Sequence, residues 1–220
     1  MSRLILLHDT HRLKYNREGK HYGWHILTNG SSIYGNAESI QEELKNTAFG
    51  AHHLIVYPDL NTLRKVYSYY INTALNDKNE TVIVLPFFET TDTVRRALRE
   101  SEFDIDVTKH EKQRSLLVMD SLKGYFGSPE GVTQIIKRAV EDAKISEKNG
   151  VSVFGDVGSF FYDHKEYELV DYELSLPSKY DGNLKTFCLY NKREFDLWLT
   201  EQQRQKLLEH HGKNMIIAAS

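Results

Sequence analysis

The chain has 220 residues, of which 40% are hydrophobic and 27% charged, with a net charge of −3. That composition excludes a disordered chain, and its negative balance excludes a general affinity for nucleic acid, which needs a clustered excess of Lys and Arg. No run approaches the ~18 consecutive apolar residues that span a bilayer, and the apolar run near the start is too short for a signal peptide, so a cytoplasmic protein without a membrane partner is expected.

The charge is uneven. Residues 1–25 carry Arg3, Arg12, Lys14, Arg17 and Lys20 against Asp9 and Glu18, a net +3 that leaves −6 for the remainder. Within this end, 4–7 and 22–27 read as strands, Asn29-Gly30 as a turn and 38–45 as a short helix. Residues 1–50 do not share the rhythm of the rest and read as a small N-terminal extension, with a possible hairpin. Positive charge interleaved with rings over 12–24 (RLKYNREGKHYGW) is a combination that touches nucleic acid, although a hairpin packed on the main domain or on a second subunit is the favoured reading.

From residue 52 onward, short apolar runs alternate with amphipathic segments, the pattern of helices crossing between parallel strands. The first strand is 53–57 (HLIVY), followed by a helix that Asp59 caps and whose apolar positions recur from Leu60 to Leu75. Strand 81–86 (TVIVLP) leads to a helix over 91–100, and strand 115–120 (SLLVMD) follows. Ser128-Pro129-Glu130 opens the next helix and Asn149-Gly150 closes it. Strand 151–154, a loop GDVGS over 155–159, a helix over 163–174 and strand 184–190 come next. Thr200 with Gln203 forms a capping box for the following helix, Gly212 ends it, and strand 214–219 completes the set. Strands this uniformly apolar are covered on both faces, so the fold class is α/β: three layers, α/β/α, around a mainly parallel sheet.

Ligands of open parallel sheets bind outside the carboxyl ends of the strands. Residues at that edge are Tyr57, Phe87, Phe88, Glu89, Asp120, Asp156, Tyr190 and Arg193, a mixture of rings and acids. A nucleotide-hydrolysing protein of this architecture needs a glycine-rich loop ending in Lys-Ser/Thr; after the first strand stands PDLNTLRK, with no glycine and with an acid at the helix start. Asp120 takes the place of a magnesium-binding aspartate, or simply caps a turn. GDVGS reads as a tight turn. His8, His11, His21 and His25 have spacings that hold metal on a helix, yet 13–24 shows no helical periodicity, so surface or core roles are favoured. Of His52 and His53 one should face the core and one solvent, and His210-His211 should stabilise a helix C-terminus. Cys188 is the only cysteine and no CxxC pair exists, so neither a disulfide nor a thiolate metal site is expected, and no cofactor is called for.

The segments HHLIVYPDLNTL, ETVIVLPFFETTDTVRRALRESEFDID, SLLVMDS and CLYNKREF resemble the MEDS family, the methanogen/methylotroph DcmR-type sensory domain, itself similar to RecA/KaiC-like ATPases. The likeness runs from residue 52 to the C-terminus. It implies a RecA-like sheet without catalysis, reused to perceive a small organic molecule such as a hydrocarbon derivative and to relay that state to a signalling or regulatory protein. By position, His52, Tyr57, Tyr190 and Phe195 match recurring family positions, and Glu89 and Asp120 fall where ATPase relatives carry catalytic and metal-binding acids. The expected ligand lies among Tyr57, Phe87, Phe88 and Tyr190, oriented by Glu89 and Asp156, with residues 51–220 as the sensory domain. Two rivals are a scaffold that forms a homodimer through residues 1–50 and a residual nucleotide-binding protein.

Overall fold

The computed structural model describes residues 31–127, 131–162 and 164–219. Along the chain these form β1 (Ser31–Gly35), α1 (Ala37–Lys45), β2 (His52–Tyr57), α2 (Leu60–Asn72), β3 (Thr81–Leu85), α3 (Thr91–Arg99), α4 (Val107–Lys112), β4 (Leu116–Val118), α5 (Gly131–Ile145), β5 (Val151–Asp156), α6 (Gly158–Tyr162), α7 (Glu166–Ser175), β6 (Leu184–Asn191), α8 (Lys192–Trp198), α9 (Glu201–His210) and β7 (Lys213–Ile217). Two π-helical turns, Thr73–Asp77 and Lys123–Gly127, follow α2 and β4.

The seven strands are all parallel, in the order β1-β7-β2-β6-β5-β3-β4. From β1 to β4 the chain steps across the sheet in one direction, and from β4 to β7 it returns. Because parallel crossovers are right-handed, the reversal of direction puts the two sets of helices on opposite faces. One face buries Ile55, Tyr57, Val82, Val84, Phe154, Phe187 and Met215 under α1 to α4. The other buries Leu54, Val56, Ile83, Leu85, Val151, Val153, Cys188 and Tyr190 under α5 to α9. On the first face Phe154 stacks on Phe187 with centroids 4.7 Å apart, and Tyr70 of α2 lies 5.2 Å from both. Each buried ring of this kind contributes about 1.5 to 3 kcal/mol.

The three-layer α/β/α class and the six strands from residue 52 onward are present as expected. Several details differ. The strand and helix rhythm already runs at Ser31: β1 pairs with β7, and Ile40 and Leu44 of α1 are fully buried. As an edge strand half open to solvent, β1 lacks the uniform apolar run that marked its neighbours. GDVGS is not a loop. Gly155 and Asp156 continue β5, and Gly158 and Ser159 begin α6. A Cβ on Gly155 would sit 2.5 Å from the Tyr125 hydroxyl, so the glycine serves the approach of that ring over the strand. The expected helix over 163–174 is α7, and the short α6 precedes it, with His164 at φ 53° between the two. α5 ends before Asn149-Gly150, and the left-handed residue is Glu147 at φ 54°. The Asn149 side chain instead donates to the carbonyl of Lys78 at 2.7 Å. α9 ends at His210, where His211, not Gly212, turns the chain out with extended backbone.

Asp59 caps α2, accepting from the Thr62 N–H at 2.9 Å, and the Thr200–Gln203 capping box is formed. Ser128-Pro129-Glu130, the basic stretch 12–24, and His8, His11, His21 and His25 lie outside the described residues.

Candidate functional site

The carboxyl edge brings together part of the expected set. Tyr57, at the end of β2, donates its hydroxyl to Oδ2 of Asp156 at 2.7 Å, and Oδ1 of Asp156 accepts from the N–H of Gly158 at 2.9 Å. Burial pushes the Asp156 carboxyl up to about 7. Glu89 is held by Arg64, whose Nε and Nη2 each lie 2.6 Å from Oε2, and by the Tyr67 hydroxyl at 3.4 Å. Phe87 packs edge-on against Phe88, with centroids 4.8 Å apart, above Gly158. These groups satisfy one another. The space left among them is about 10 Å³, at the lower limit for one water molecule, which needs roughly 10 to 15 Å³.

The remaining expected residues lie elsewhere. Val56, not Tyr57, is the register partner of Tyr190, so alternation sends Tyr57 and Tyr190 to opposite faces of the sheet. Asp120 lies two residues past β4 and accepts from the N–H of Lys123 at 3.0 Å, a turn cap. Arg193 is exposed at the start of α8. His52 is fully buried at the amino end of β2, a strand's length from Tyr57, while His53 is half-buried.

A more apolar space lies on the face under α5 and α7. A chamber of about 240 Å³ is bounded by Val153, Gly155 and Cys188 on the sheet, Ile136 on α5, and Tyr125 and Tyr172. Its aromatic rim is interlocked, since Tyr125 and Tyr172 approach edge-on at 5.6 Å and Phe160 stacks on Tyr172 at 5.5 Å. Leu85 and Gly155 are strand-end residues, so the chamber starts beneath the carboxyl edge and runs down the sheet toward its amino half.

Behind Cys188 lies a buried polar group that no local motif announced. His52, Glu173 of α7, Cys188 of β6 and His211 at the end of α9 place one side-chain atom each within 4.8 Å of the others. Nε2 of His52 is 3.3 Å from Sγ of Cys188 and 3.4 Å from Oε2 of Glu173; Nε2 of His211 is 3.4 Å from the same oxygen, and Sγ is 3.5 Å from it. The other nitrogen of each ring is engaged: Nδ1 of His52 donates to the carbonyl of Pro177 at 3.0 Å and Nδ1 of His211 to that of Leu207 at 2.7 Å. Burial, with Glu173 adding its charge, raises the Cys188 thiol well above its usual range. Burial, and then the charge of the neighbouring Glu173, also raise the hydroxyl of Tyr190. The reading of His211 as a helix-terminal stabiliser holds for its Nδ1 contact and misses what its Nε2 faces.

Comparison with curated proteins finds no match. The family whose description reads MEDS, MEthanogen/methylotroph, DcmR Sensory domain, matches residues 51–209, which span β2 to α9 and contain the carboxyl edge, the chamber and three of the four clustered residues. A match over that much of the sequence settles the kinship, and the chain belongs to the MEDS family of sensory domains.

Proposed function

We propose that the chain senses a small, apolar or weakly polar organic molecule held in the chamber between the sheet and α5 and α7, and that occupancy is relayed to a regulatory protein. One observation carries the reading: among the described residues, the face under α5 and α7 leaves about 240 Å³ with an almost wholly apolar lining. Protein interiors keep few voids larger than water, so a space of this size in a 220-residue chain calls for an occupant. It exceeds the roughly 150 Å³ that takes up benzene in an engineered core and falls below the ~300 to 1,000 Å³ of sites for drug-sized ligands, which sets the scale of the occupant. The walls come from separate elements, so filling the chamber favours one placement of α5 and α7 over others, and a ligand shifts a population only through such differential contact.

The start of α2 argues against a nucleotide. Asp59 caps the helix with its own carboxylate, accepting from Thr62 N–H and hydroxyl, both at 2.9 Å, where relatives with a phosphate loop present free N–H groups to an anion.

The test is thermal unfolding of the full chain with straight-chain alcohols of four to eight carbons and with toluene. A concentration-dependent rise in Tm is expected in the wild type and not in Val153→Phe, whose ring occupies the space. Equal shifts in both proteins, or no shift with any of these probes, would overturn the placement.

A further inference from the structure

We propose that His52, Glu173, Cys188 and His211 form a binding site for a divalent metal ion, zinc before others, set behind the wall of the apolar chamber.

Hydrogen bonding alone leaves this cluster unbalanced. The carbonyls of Pro177 and Leu207 can only accept, so Nδ1 of each histidine carries a proton. In the neutral rings Nε2 is then a bare lone pair, and both lone pairs face Oε2 of Glu173 at 3.4 Å. Among the described residues, the Cys188 thiol and the Tyr190 hydroxyl beside Glu173 bring the only further protons, and neither is placed to serve both Nε2 lone pairs. All four residues are buried, so water does not relieve the repulsion. Protonating one ring pairs an imidazolium with Glu173 but leaves the other Nε2 a bare lone pair facing the same oxygen, and protonating both would bury two cations against one carboxylate, where an uncompensated charge taken out of water costs several kcal/mol. A divalent cation with a thiolate, a carboxylate and two neutral imidazoles sums to zero charge.

The geometry agrees for four of the six ligand pairs, and all six lie within 4.8 Å, so the two wider edges would draw in on binding. Zinc bonds of about 2.3 Å to sulfur and about 2.0 to 2.2 Å to nitrogen and oxygen give tetrahedral edges of roughly 3.3 to 3.6 Å between ligand atoms. The four close separations here run from 3.3 to 3.5 Å. A backbone carbonyl on the non-ligating nitrogen of each histidine is the arrangement that fixes metal-binding tautomers. Four protein ligands make a closed site of the structural kind. Its ligands would tie β2, β6, α7 and α9 together, and because Cys188 also lines the chamber, the ion and a chamber occupant would be near one another. The site is independent of whether the chamber binds the proposed ligand.

Cobalt(II) titration of the full, tag-free, metal-stripped chain tests this. Cys188 is the only cysteine, so a thiolate-to-cobalt charge-transfer band has a single possible source, whatever the other histidines do. Saturation at one equivalent with that band, its displacement by zinc, and its loss in Cys188→Ser are expected. Glu173→Gln, of the same shape, should weaken zinc binding at least tenfold while keeping the thiolate band. Zinc should also raise the Tm of the wild type and not of Cys188→Ser. Absence of the thiolate band in the wild type, or a zinc-induced Tm rise of equal size in wild type and Cys188→Ser, would overturn the site and leave a buried imidazolium–carboxylate pair in its place.

Discussion

The carboxyl edge and the His52 cluster bury similar groups, tyrosines, carboxylates and their partners, yet they are organised on different principles. At the edge each acceptor meets a donor: Tyr57 and Gly158 serve Asp156, and Arg64 and Tyr67 serve Glu89. A third cluster at the amino ends of the strands behaves likewise, with Lys185 bonded to Glu80 at 2.9 Å and Ser152 bridging Glu80 and Tyr70. In the His52 cluster acceptors face acceptors, next to the apolar chamber. A matched network is complete as it stands and needs no occupant. An unmatched one, beside an unfilled chamber, points to something the chain itself does not supply.

The sharpest way to break this contrast is to unbalance a matched cluster. Lys185 and Glu80 are each about 2% exposed, so Lys185→Met strands a buried carboxylate. A loss of about 3 to 5 kcal/mol is expected in urea unfolding, the usual cost of orphaning one partner of a buried pair. Adding Glu80→Gln should return a good part of it. If the single variant loses less than 1 kcal/mol, the cluster is wetter than its burial implies and the idea of a self-sufficient network is wrong.

Asp156 offers a pH-dependent version of the same test. Its folded pKa, about 7, lies above the ordinary value of 3.8, so the native state favours the protonated acid. The associated stability is fully present below pH 3.8 and is lost as pH rises through 7, which at about 1.36 kcal/mol per unit amounts to about 4 kcal/mol. Asp156→Asn keeps the shape and cannot ionise. It should be more stable than the wild type at pH 8 and nearly equal to it at pH 4. A difference that stays constant from pH 4 to 8 would mean that the carboxyl does not titrate in this window.

The sequence made the sheet legible because strands such as VIVL of β3 and LIVY of β2 are continuous apolar runs, which a strand shows when both its faces are covered. It hid β1 for the complementary reason: an edge strand with exposed Ser31 and Tyr34 has no such run. Strand ends were readable, so Tyr57, Glu89 and Asp156 were correctly placed at one edge. The register of β2 against β6 was not, and that register decides that Tyr57 and Tyr190 part company. The four clustered residues have no local spacing to detect. Cys188 lies 136 residues from His52 and 15 from Glu173, and only the crossing of β2, β6, α7 and α9 assembles them. The chamber is less legible still, since a void belongs to no segment.

The smallest expected effects separate the two faces of the sheet most directly. Val84 and Val153 are both 3% exposed and lie on adjacent strands, but Val84 points into the filled face and Val153 into the chamber. Around Val84 the free space is about 10 Å³, so Val84→Phe must push neighbours off their rotamers, and overpacking of this kind costs about 1 to 3 kcal/mol. Val153→Phe enters about 240 Å³ and adds buried apolar area without displacing atoms, so its stability should stay within about 0.5 kcal/mol of the wild type or exceed it. Urea midpoints with unchanged m-values decide between these, since an altered m would signal a different native or denatured state and not a packing effect. Equal losses for both substitutions would mean that the face under α5 and α7 is as tightly packed in solution as the other, and the chamber, with the ligand assigned to it, would have no room to exist.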